Sequence, residues 1–249
     1  MKPISTQPQL ADQVYTALLD AIGSGQLTPG LPLVQERLAA ELNVSRQPVV
    51  QALLLLKTQG FVEATGRRGL QVARLNPQAA RRVYAVRGAL DRLAARAAAQ
   101  AVAEDNAARQ RTDVRLQALI ENGRRAIAYG KDVQGTSRQA VGMQKTDVQA
   151  SMPALIEADI AFHQAIYDLA DNPLIAQSAE VHWFHIRRIM GAVLRDHEQR
   201  DTVWREHEGI AESILSGDVE RAGRLAEAHV EKAAEMLIGR LEDRMALTA

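Results

Sequence analysis

The sequence contains no cysteine, so it has neither a disulfide framework nor a thiolate metal site. This fits the reducing cytoplasm, where we expect the protein to be located. Aromatic residues make up only 4% of the chain while Ala and Leu are abundant, which favours helices over sheets. The 30 Lys and Arg balance the 30 Asp and Glu, so net charge indicates no particular partner. The longest apolar run, residues 49–56, is far shorter than the ~20 residues of a membrane span, and we expect no membrane association.

The first 75 of the 249 residues differ in pattern from the rest. Three helical segments are followed by "FVEATGRRGLQVA", which predicts two short strands around a Gly-Arg-Arg-Gly turn. Before the third segment, Ser45 is a natural N-cap, and Pro48 falls in the first turn, where its missing N–H is tolerated. This order predicts a winged helix-turn-helix domain over residues 1–75 and a second domain over residues 76–249.

The third helix has the properties of a recognition helix. Its predicted packing face is Val49, Ala52, Leu53 and Leu56. Arg46 and Gln47 stand at its N-terminal end, which in such motifs enters the major groove. Arg37 lies on the preceding helix, while Arg67 and Arg68 lie at the hairpin tip, where a wing contacts phosphates or the minor groove. The alternative is a small helical subdomain with solvated arginines.

The stretch "PLVQERLAAELNVSRQPVVQALLLLKTQGFVEATGRRGLQV" resembles the DNA-binding domain of the GntR family of bacterial transcription regulators. The resemblance implies DNA contacts by Arg37, Ser45, Arg46, Gln47 and the wing around Arg68 and Gly69. One departure concerns the residues after Pro48-Val49. The family usually has Arg-Glu-Ala-Leu there, whereas this chain has Val50-Gln51-Ala52-Leu53, so an arginine that would contact phosphate is missing.

The third helix is also more apolar than its packing face requires. Val50, Leu54 and Leu55 lie outside that face, and a cluster of exposed aliphatic residues tends to mark a contact surface. Two interpretations remain open. The leucines contact the second domain or a partner subunit, or they are buried within the winged helix itself.

The remainder of the chain is predicted to be helical throughout. Helices are expected at about residues 77–104, 105–129, 153–170, 173–197, 201–215 and 219–245, and Asp218 is a candidate N-cap for the last of them. The polar segment 130–152 has little periodicity and is predicted to be a long loop or a loop with one short helix. Helices with short connections predict an antiparallel bundle, so the fold class is mainly α.

Three histidines and one aspartate interrupt the apolar faces of these helices. Asp159 and His163 are one turn apart, and His207 and His229 occupy apolar stripes of two later helices. Burying such groups separately leaves polar atoms unpaired at about 1–3 kcal/mol each. Convergence on one divalent ion such as Zn, Ni, Mn or Fe removes this cost. The alternative is that each histidine is a core residue with its own hydrogen-bond partner.

Residues 77–245, with the Asp-x-x-x-His element and the two later histidines, resemble the FCD ligand-binding domain of the FadR subfamily. The resemblance implies a metal held by Asp159, His163, His207 and His229, beneath a cavity that binds a small carboxylate effector. Arg87 is a candidate for the second carboxylate contact, unless it only pairs with Asp91 at i, i+4. His182 either lines the cavity or is structural.

These features predict a metabolite-responsive DNA-binding regulator, a repressor in our interpretation, and not an enzyme. A homodimer would place two winged helices on a palindromic operator. One alternative is a regulator that responds to the metal alone, with no organic effector. A metal-dependent hydrolase is less favoured, because the chain lacks His-Glu-x-x-His and Glu208 would point away from the face that carries His207.

Overall fold

The computed structural model describes residues 10–66, 69–137, 146–194 and 200–247. The chain divides into two compact units, Met1–Asn76 and Pro77–Ala249. Within the described residues, the elements of the first unit are α1 (Leu10–Gly23), α2 (Gln35–Glu41), α3 (Arg46–Thr58), β1 (Val62–Thr65) and β2 (Gly69–Val72). Those of the second are α4 (Pro77–Glu104), α5 (Asn106–Ser137), α6 (Thr146–Leu169), α7 (Pro173–Val193), α8 (Arg200–Leu215) and α9 (Val219–Ala246). The predicted fold class, a winged helix-turn-helix followed by a helical bundle, is confirmed.

The first unit is built around α3, which packs against α1, α2 and β1. The predicted packing face is confirmed, because Val49, Ala52, Leu53 and Leu56 are each at most 1% exposed. The break between α2 and α3 is made by Asn43, whose φ of 51° is a left-handed conformation that Asn tolerates better than most residues. This tight turn brings the end of α2 close to the start of α3.

The hairpin has the predicted form. β1 and β2 are antiparallel with Val62 opposite Val72 and Thr65 opposite Gly69. A β-carbon at Gly69 would overlap Thr65 Oγ1 and lie 2.7 Å from the backbone carbonyl oxygen of Thr65, so the base of the wing requires glycine. Arg67 and Arg68, at the predicted tip, lie outside the described residues.

The aliphatic residues of α3 outside its packing face are exposed. Val50 is 41%, Leu54 61% and Leu55 45% exposed. The interpretation that the two leucines are buried within the winged helix is therefore wrong. That surface of α3 faces outward.

The second unit is organised by α4, which contacts every one of α5 to α9. Its run of alanines allows this close packing: Ala94, Ala95, Ala98 and Ala99 are fully buried. Ion pairs with α9 join Arg81 to Glu242 at 2.9 Å and Arg96 to Glu220 at 2.6 Å. Because the order of these partners is reversed along α9, the two helices are antiparallel.

The prediction of a long loop with at most one short helix over residues 130–152 is wrong in its described parts. α5 continues to Ser137, and α6 begins at Thr146 and includes Pro153; residues 138–145 are outside the described part. The segment lacks an apolar stripe, so hydrophobic periodicity could not reveal that these parts of it are helical. Adding residues to an existing helix is far easier than nucleating one, which is how a polar sequence can prolong α5 and α6.

None of the helices in the described ranges contains a segment that is long and apolar enough to cross a lipid bilayer.

Candidate metal centre and effector cavity

The four residues predicted to bind a metal come together in the interior of the bundle. Asp159 and His163 lie on α6, His207 on α8 and His229 on α9. All four are buried, and one potential ligand atom from each lies within 4.8 Å of the others. Ligand atoms held at 2.0–2.2 Å from one ion can be at most ~4.4 Å apart. The cluster is therefore nearly the size that a single ion requires.

His163 is oriented by a carboxylate of α4. Its Nδ1 lies 3.0 Å from Asp91 Oδ2, a contact that is favourable when Nδ1 carries the proton. The Tyr167 hydroxyl donates a hydrogen bond to the other oxygen of Asp91. Burial acts to raise the pKa of Asp91, but the charges of His163 and Arg87 outweigh it and the pKa is lowered. His163 Nε2 is left buried with no hydrogen-bond partner.

His229 is oriented in the same way by a carboxylate of α8. Its Nδ1 donates to Glu206 Oε2 at 2.9 Å, and Glu206 Oε1 accepts from Lys232 Nζ at 2.8 Å. The hydrogen bond from His229 is the main cause of the lowered pKa of Glu206. With its proton held on Nδ1, His229 turns the lone pair of Nε2 toward the cluster. Such outer carboxylates are typical of histidines that bind metals.

His207 is the most enclosed member of the cluster, with no exposed surface. Its Nε2 lies 3.2 Å from His229 Nε2 and 3.5 Å from Asp159 Oδ1. Phe162 stacks on the imidazole with ring centroids 4.3 Å apart. Burial, followed by the charges of His229 and His163, holds the pKa of His207 well below 6.5. The imidazole is therefore neutral at pH 7, as a metal ligand must be.

These groups fit a divalent cation. Two imidazole Nε2 atoms and a carboxylate oxygen face one another, and His163 Nε2 has no hydrogen-bond partner. A buried polar atom left in this way is costly unless something binds it. Nitrogen and carboxylate ligands of this kind suit Zn, Ni, Mn or Fe.

A cavity adjoins the cluster and is lined in part by Asp159 and His229. It measures about 60 Å³, which admits only a small molecule. Its polar wall includes Tyr84 and Arg87, which are both buried. Its apolar wall includes Leu155, Ile156, Met190, Trp204, Met236 and Leu237.

Arg87 is held rigidly at the edge of this cavity. Its Nε lies 3.4 Å from Asp91 Oδ2, so the predicted i, i+4 ion pair exists. Its Cζ is 4.1 Å from the centroid of the Trp183 ring, a cation–π contact. Nη2 of Arg87 and the hydroxyl of Tyr84 are nevertheless buried without a hydrogen-bond partner. Arg87 thus lines the cavity and carries a guanidinium N–H group that no protein atom in the described residues satisfies.

His182 does not belong to this cavity. It is half-buried on α7 and is absent from the described residues of the cavity wall. Burial lowers its pKa. The apolar stripe of α7 does contribute Met190 to the wall, but His182 lies two turns before it.

The two arginines predicted to contact DNA from α2 and α3 are exposed and paired with acidic residues. Arg37 Nε donates to Glu41 Oε1 at 2.7 Å. Arg46 donates from Nη2 to Gln35 Oε1 at 2.8 Å and lies 3.0 Å from Glu36 Oε1. The turn between the helices therefore brings Arg46 against the first residues of α2.

The neighbouring residues Ser45 and Gln47 are also exposed. Ser45 occupies the predicted N-cap position of α3, although its side chain makes no capping hydrogen bond. The hydroxyl of an N-cap accepts from the second or third N–H of the helix, and the third residue here is Pro48, which has no N–H. Gly69 is exposed at the start of β2.

The sequence patterns did not predict several residues of the site. Glu206 and Tyr84 carried no signal, and Asp91 was considered only as a partner of Arg87. Glu206 lies one residue before His207, on a different side of α8, so no periodicity connects it with the cluster. Glu206 could have been found as a carboxylate next to a predicted ligand in the sequence. Asp91 could not, because it lies far from every predicted ligand along the chain.

Sequence comparison assigns both halves of the chain. The FCD domain family matches residues 82–232, and the family described as "Bacterial regulatory proteins, gntR family" matches residues 10–72. The chain belongs to the GntR family of transcriptional regulators with an FCD domain. The resemblance predicted from the sequence is confirmed.

This GntR-family chain is similar to curated regulators over most of their length. It is 25% identical to the uncharacterised transcriptional regulator YdhC of Bacillus subtilis, over 93% of this chain and 92% of that protein. It is 24% identical to the transcriptional repressor RspR of Escherichia coli, over 92% of this chain and 89% of that protein. These homologues are transcriptional regulators.

Solved structures share the fold of this GntR-family protein. The structure of Escherichia coli McbR/YncC has a TM-score of 0.67 at 19% identity and covers 94% of this chain and 100% of its own. A GntR regulator from Rhodococcus has a TM-score of 0.64 at 20% identity, covering 93% and 99%. At these identities the likeness concerns the fold alone.

Proposed function

We propose that this regulator is a homodimeric repressor that binds a divalent metal and a small carboxylate effector in its FCD domain. Binding of the effector changes the affinity of the winged helices for a palindromic operator. The observation that carries the proposal is the buried Asp159, His163, His207 and His229 cluster next to the guanidinium of Arg87. RspR, a relative at 24% identity, is a repressor.

The four residues of the cluster would hold the ion. When bound, the ion supplies a positive charge that attracts an anionic ligand. Asp91 and Glu206 keep the protons of His163 and His229 on Nδ1 and away from the cluster. Phe162 and Trp204 cover His207 and exclude water from that side.

Arg87 would bind the carboxylate of the effector. Its Nη2 lacks a partner in a buried wall, and hydrogen bonds between guanidinium and carboxylate are among the stronger ones. The Tyr84 hydroxyl, also unpartnered, is a second donor. The apolar wall opposite would contact a short hydrocarbon part. The cavity size therefore favours a small acid over a long-chain one.

A regulator that responds to the metal alone is a second candidate, and the number of ligands supports it. With these four residues as ligands, a bound Zn²⁺ would have no position left for an organic acid. Ions that prefer six ligands, such as Mn²⁺, would keep two positions for a carboxylate. The identity of the ion thus separates the two candidates.

A hydrolase has little support. Glu208, the carboxylate that follows His207, lies 2.6 Å from Arg124 of α5 and does not belong to the cluster. A metal-dependent hydrolase requires a general base beside the ion.

An exposed stripe on α4 supports the homodimer. Val86 and Leu93 are 46% and 49% exposed, and Val83, Leu90 and Ala97 are half-buried beside them. The spacing alternates between three and four residues, as in helices that pair with another helix. The stripe is nearly symmetric about Leu90, and a two-fold interface requires a self-complementary surface. GntR regulators typically dimerise and bind DNA operators.

The test combines metal analysis with operator binding. Purified protein should contain about one divalent ion per chain. The operator, selected from random DNA, is titrated with metal-free protein, metal-loaded protein, and metal-loaded protein with a panel of short mono- and dicarboxylic acids. We expect an acid to change operator affinity only in the metal-loaded protein. If the metal alone changes the operator affinity and no acid changes it further, the result would favour the regulator that responds to the metal alone.

Three variants assign the roles. His207→Ala should lose most of the ion, and Arg87→Lys should keep the ion but lose the response to the acid, because lysine lacks the planar fork. His182→Ala is the matched control, a histidine outside the cluster, and should keep both. Wild-type protein that remains metal-free after exposure to Zn, Ni, Mn and Fe would refute the metal proposal.

A further inference from the structure

The outward surface of α3 carries three exposed aliphatic residues, and Val50 is the one nearest the N-terminal end of the helix. Next to Arg46 this surface presents Gln47, Val50 and Gln51, which are all exposed. Val50 is 41% exposed although it is aliphatic, while the packing face of the same helix is complete without it. Val50 is therefore not part of the hydrophobic core of its own unit.

Val50 lies close to the end of α3 that meets DNA in this class of domain. It follows Arg46 by four residues and Gln47 by three, so the three side chains are neighbours on the helix surface. The distance from Arg46 along the helix axis is about 6 Å. Recognition helices contact base edges with their N-terminal residues, and Val50 falls within that part.

The chemistry of the major groove indicates what an aliphatic side chain can recognise there. The 5-methyl group of thymine is the apolar group that base edges present, and aliphatic side chains discriminate bases by contacting it. We propose that Val50 contacts the methyl group of a thymine and so selects a T·A base pair in each half of the operator.

The neighbours of Val50 agree with this assignment. Gln47 and Gln51 carry amides, which pair with adenine in the major groove, whereas Arg46 at the tip of the helix favours guanine; the two glutamines beside Val50 therefore favour A·T pairs. A charged side chain at this position would contact phosphate and add affinity for any sequence. A valine at this position would instead distinguish one base from another, because it contacts a base edge rather than a phosphate. The inference rests on the proposed operator-binding function and deepens it.

The test uses the full-length protein and an operator selected from random DNA. Each thymine is replaced in turn by deoxyuridine, which removes only the methyl group, in both half-sites. Affinity is measured by fluorescence anisotropy at one fixed salt concentration. One replacement should weaken binding about fourfold per methyl contact, which corresponds to the ~0.8 kcal/mol of a buried methylene.

Two variants assign the contact to Val50. Val50→Ala should weaken binding to the thymine operator by a similar factor and remove the effect of deoxyuridine at that position. Leu55→Ala is the matched control: Leu55 is also exposed on α3, but it lies about 140° around the helix from Val50, and this variant should keep the deoxyuridine effect. Circular dichroism checks that both variants are folded.

The outcomes separate this inference from the proposed function. If the protein selects no operator, the proposed function itself fails. If it binds an operator on which no deoxyuridine replacement matters, the contact with thymine is refuted while operator binding stands. Persistence of the deoxyuridine effect in Val50→Ala also refutes it, because another residue then reads the methyl group. A change of association state in Val50→Ala without loss of DNA affinity would instead assign the residue to a protein interface.

Discussion

Replacing Glu206 by glutamine tests how the metal centre is organised. Glu206 is not one of the four proposed ligands. It accepts a hydrogen bond of 2.9 Å from Nδ1 of His229 and contacts Lys232 at 2.8 Å. Glutamine has nearly the same shape, so Glu206→Gln removes a charge without opening a cavity. We expect the variant to fold and to bind metal more weakly.

The magnitude follows from what glutamine retains. Loss of an outer partner of a metal-binding histidine costs 10- to 100-fold in affinity, or about 1.4–2.8 kcal/mol. The amide oxygen of glutamine can still accept from His229 Nδ1, so the orientation of the ring is kept and the basicity of His229 is lowered. We therefore expect the lower end, about tenfold.

The assay is competition between the protein and a fluorescent Zn²⁺ chelator at pH 7.5. Glu208→Gln is the matched control, because Glu208 lies on the same helix but pairs with Arg124 of α5 rather than with a histidine of the cluster. It should bind Zn²⁺ like the wild type. Equal losses in the two variants, or a change of less than twofold in Glu206→Gln, would refute the role assigned to Glu206.

Three further predictions concern the DNA surface, the pH response and the dimer. Arg46→Ala should weaken operator binding by about 1–3 kcal/mol if Arg46 contacts a base, measured by anisotropy at matched salt; unchanged affinity would remove it from the interface. In metal-free protein, the folded-state pKa of His207 lies below its unfolded value near 6.5. Below pH 6.5 the unfolded chain therefore gains a proton first, and the free energy of unfolding falls by up to about 1.4 kcal/mol per pH unit. Denaturant unfolding at pH 7.5 and 5.5 should show this fall in the free energy of unfolding, and a variant that lacks His207 should show a smaller one. Equal falls in the two proteins would contradict the role assigned to His207. Val86→Glu combined with Leu93→Glu should give a monomer in sedimentation, whereas Val114→Glu, at an exposed site on α5, should not; a dimer in both would exclude the α4 stripe.

The metal cluster could be predicted because its members violate a local rule. Asp159 and His163 stand one turn apart where Ile156 and Ile160 mark a buried face, and His207 interrupts a similar face of α8. A polar group on an apolar stripe must find a partner. Helical periodicity therefore identified these groups as buried, although it could not show that they lie together.

The residues that hold the cluster in place could not be predicted. Asp91 is 72 positions before His163 in the chain, and its contact exists only because α4 and α6 pack side by side. Arg87 was predicted as a cavity residue on its stripe, but its stacking on Trp183 depends on α7. These contacts depend on the distance and rotation between helices, which no single helix encodes.

The sequence by itself determined the fold class, the packing face of α3 and the four clustered residues. Each is a local property, set by helical periodicity, by turn residues such as Asn43, and by which side chains avoid water. Only the tertiary structure decided that Glu206 and Asp91 orient the imidazoles, that Arg46 pairs with Glu36, and that His182 lies away from the cavity. The reason is that a hydrogen bond or ion pair acts over about 3 Å, and the packing of whole helices sets which side chains come that close.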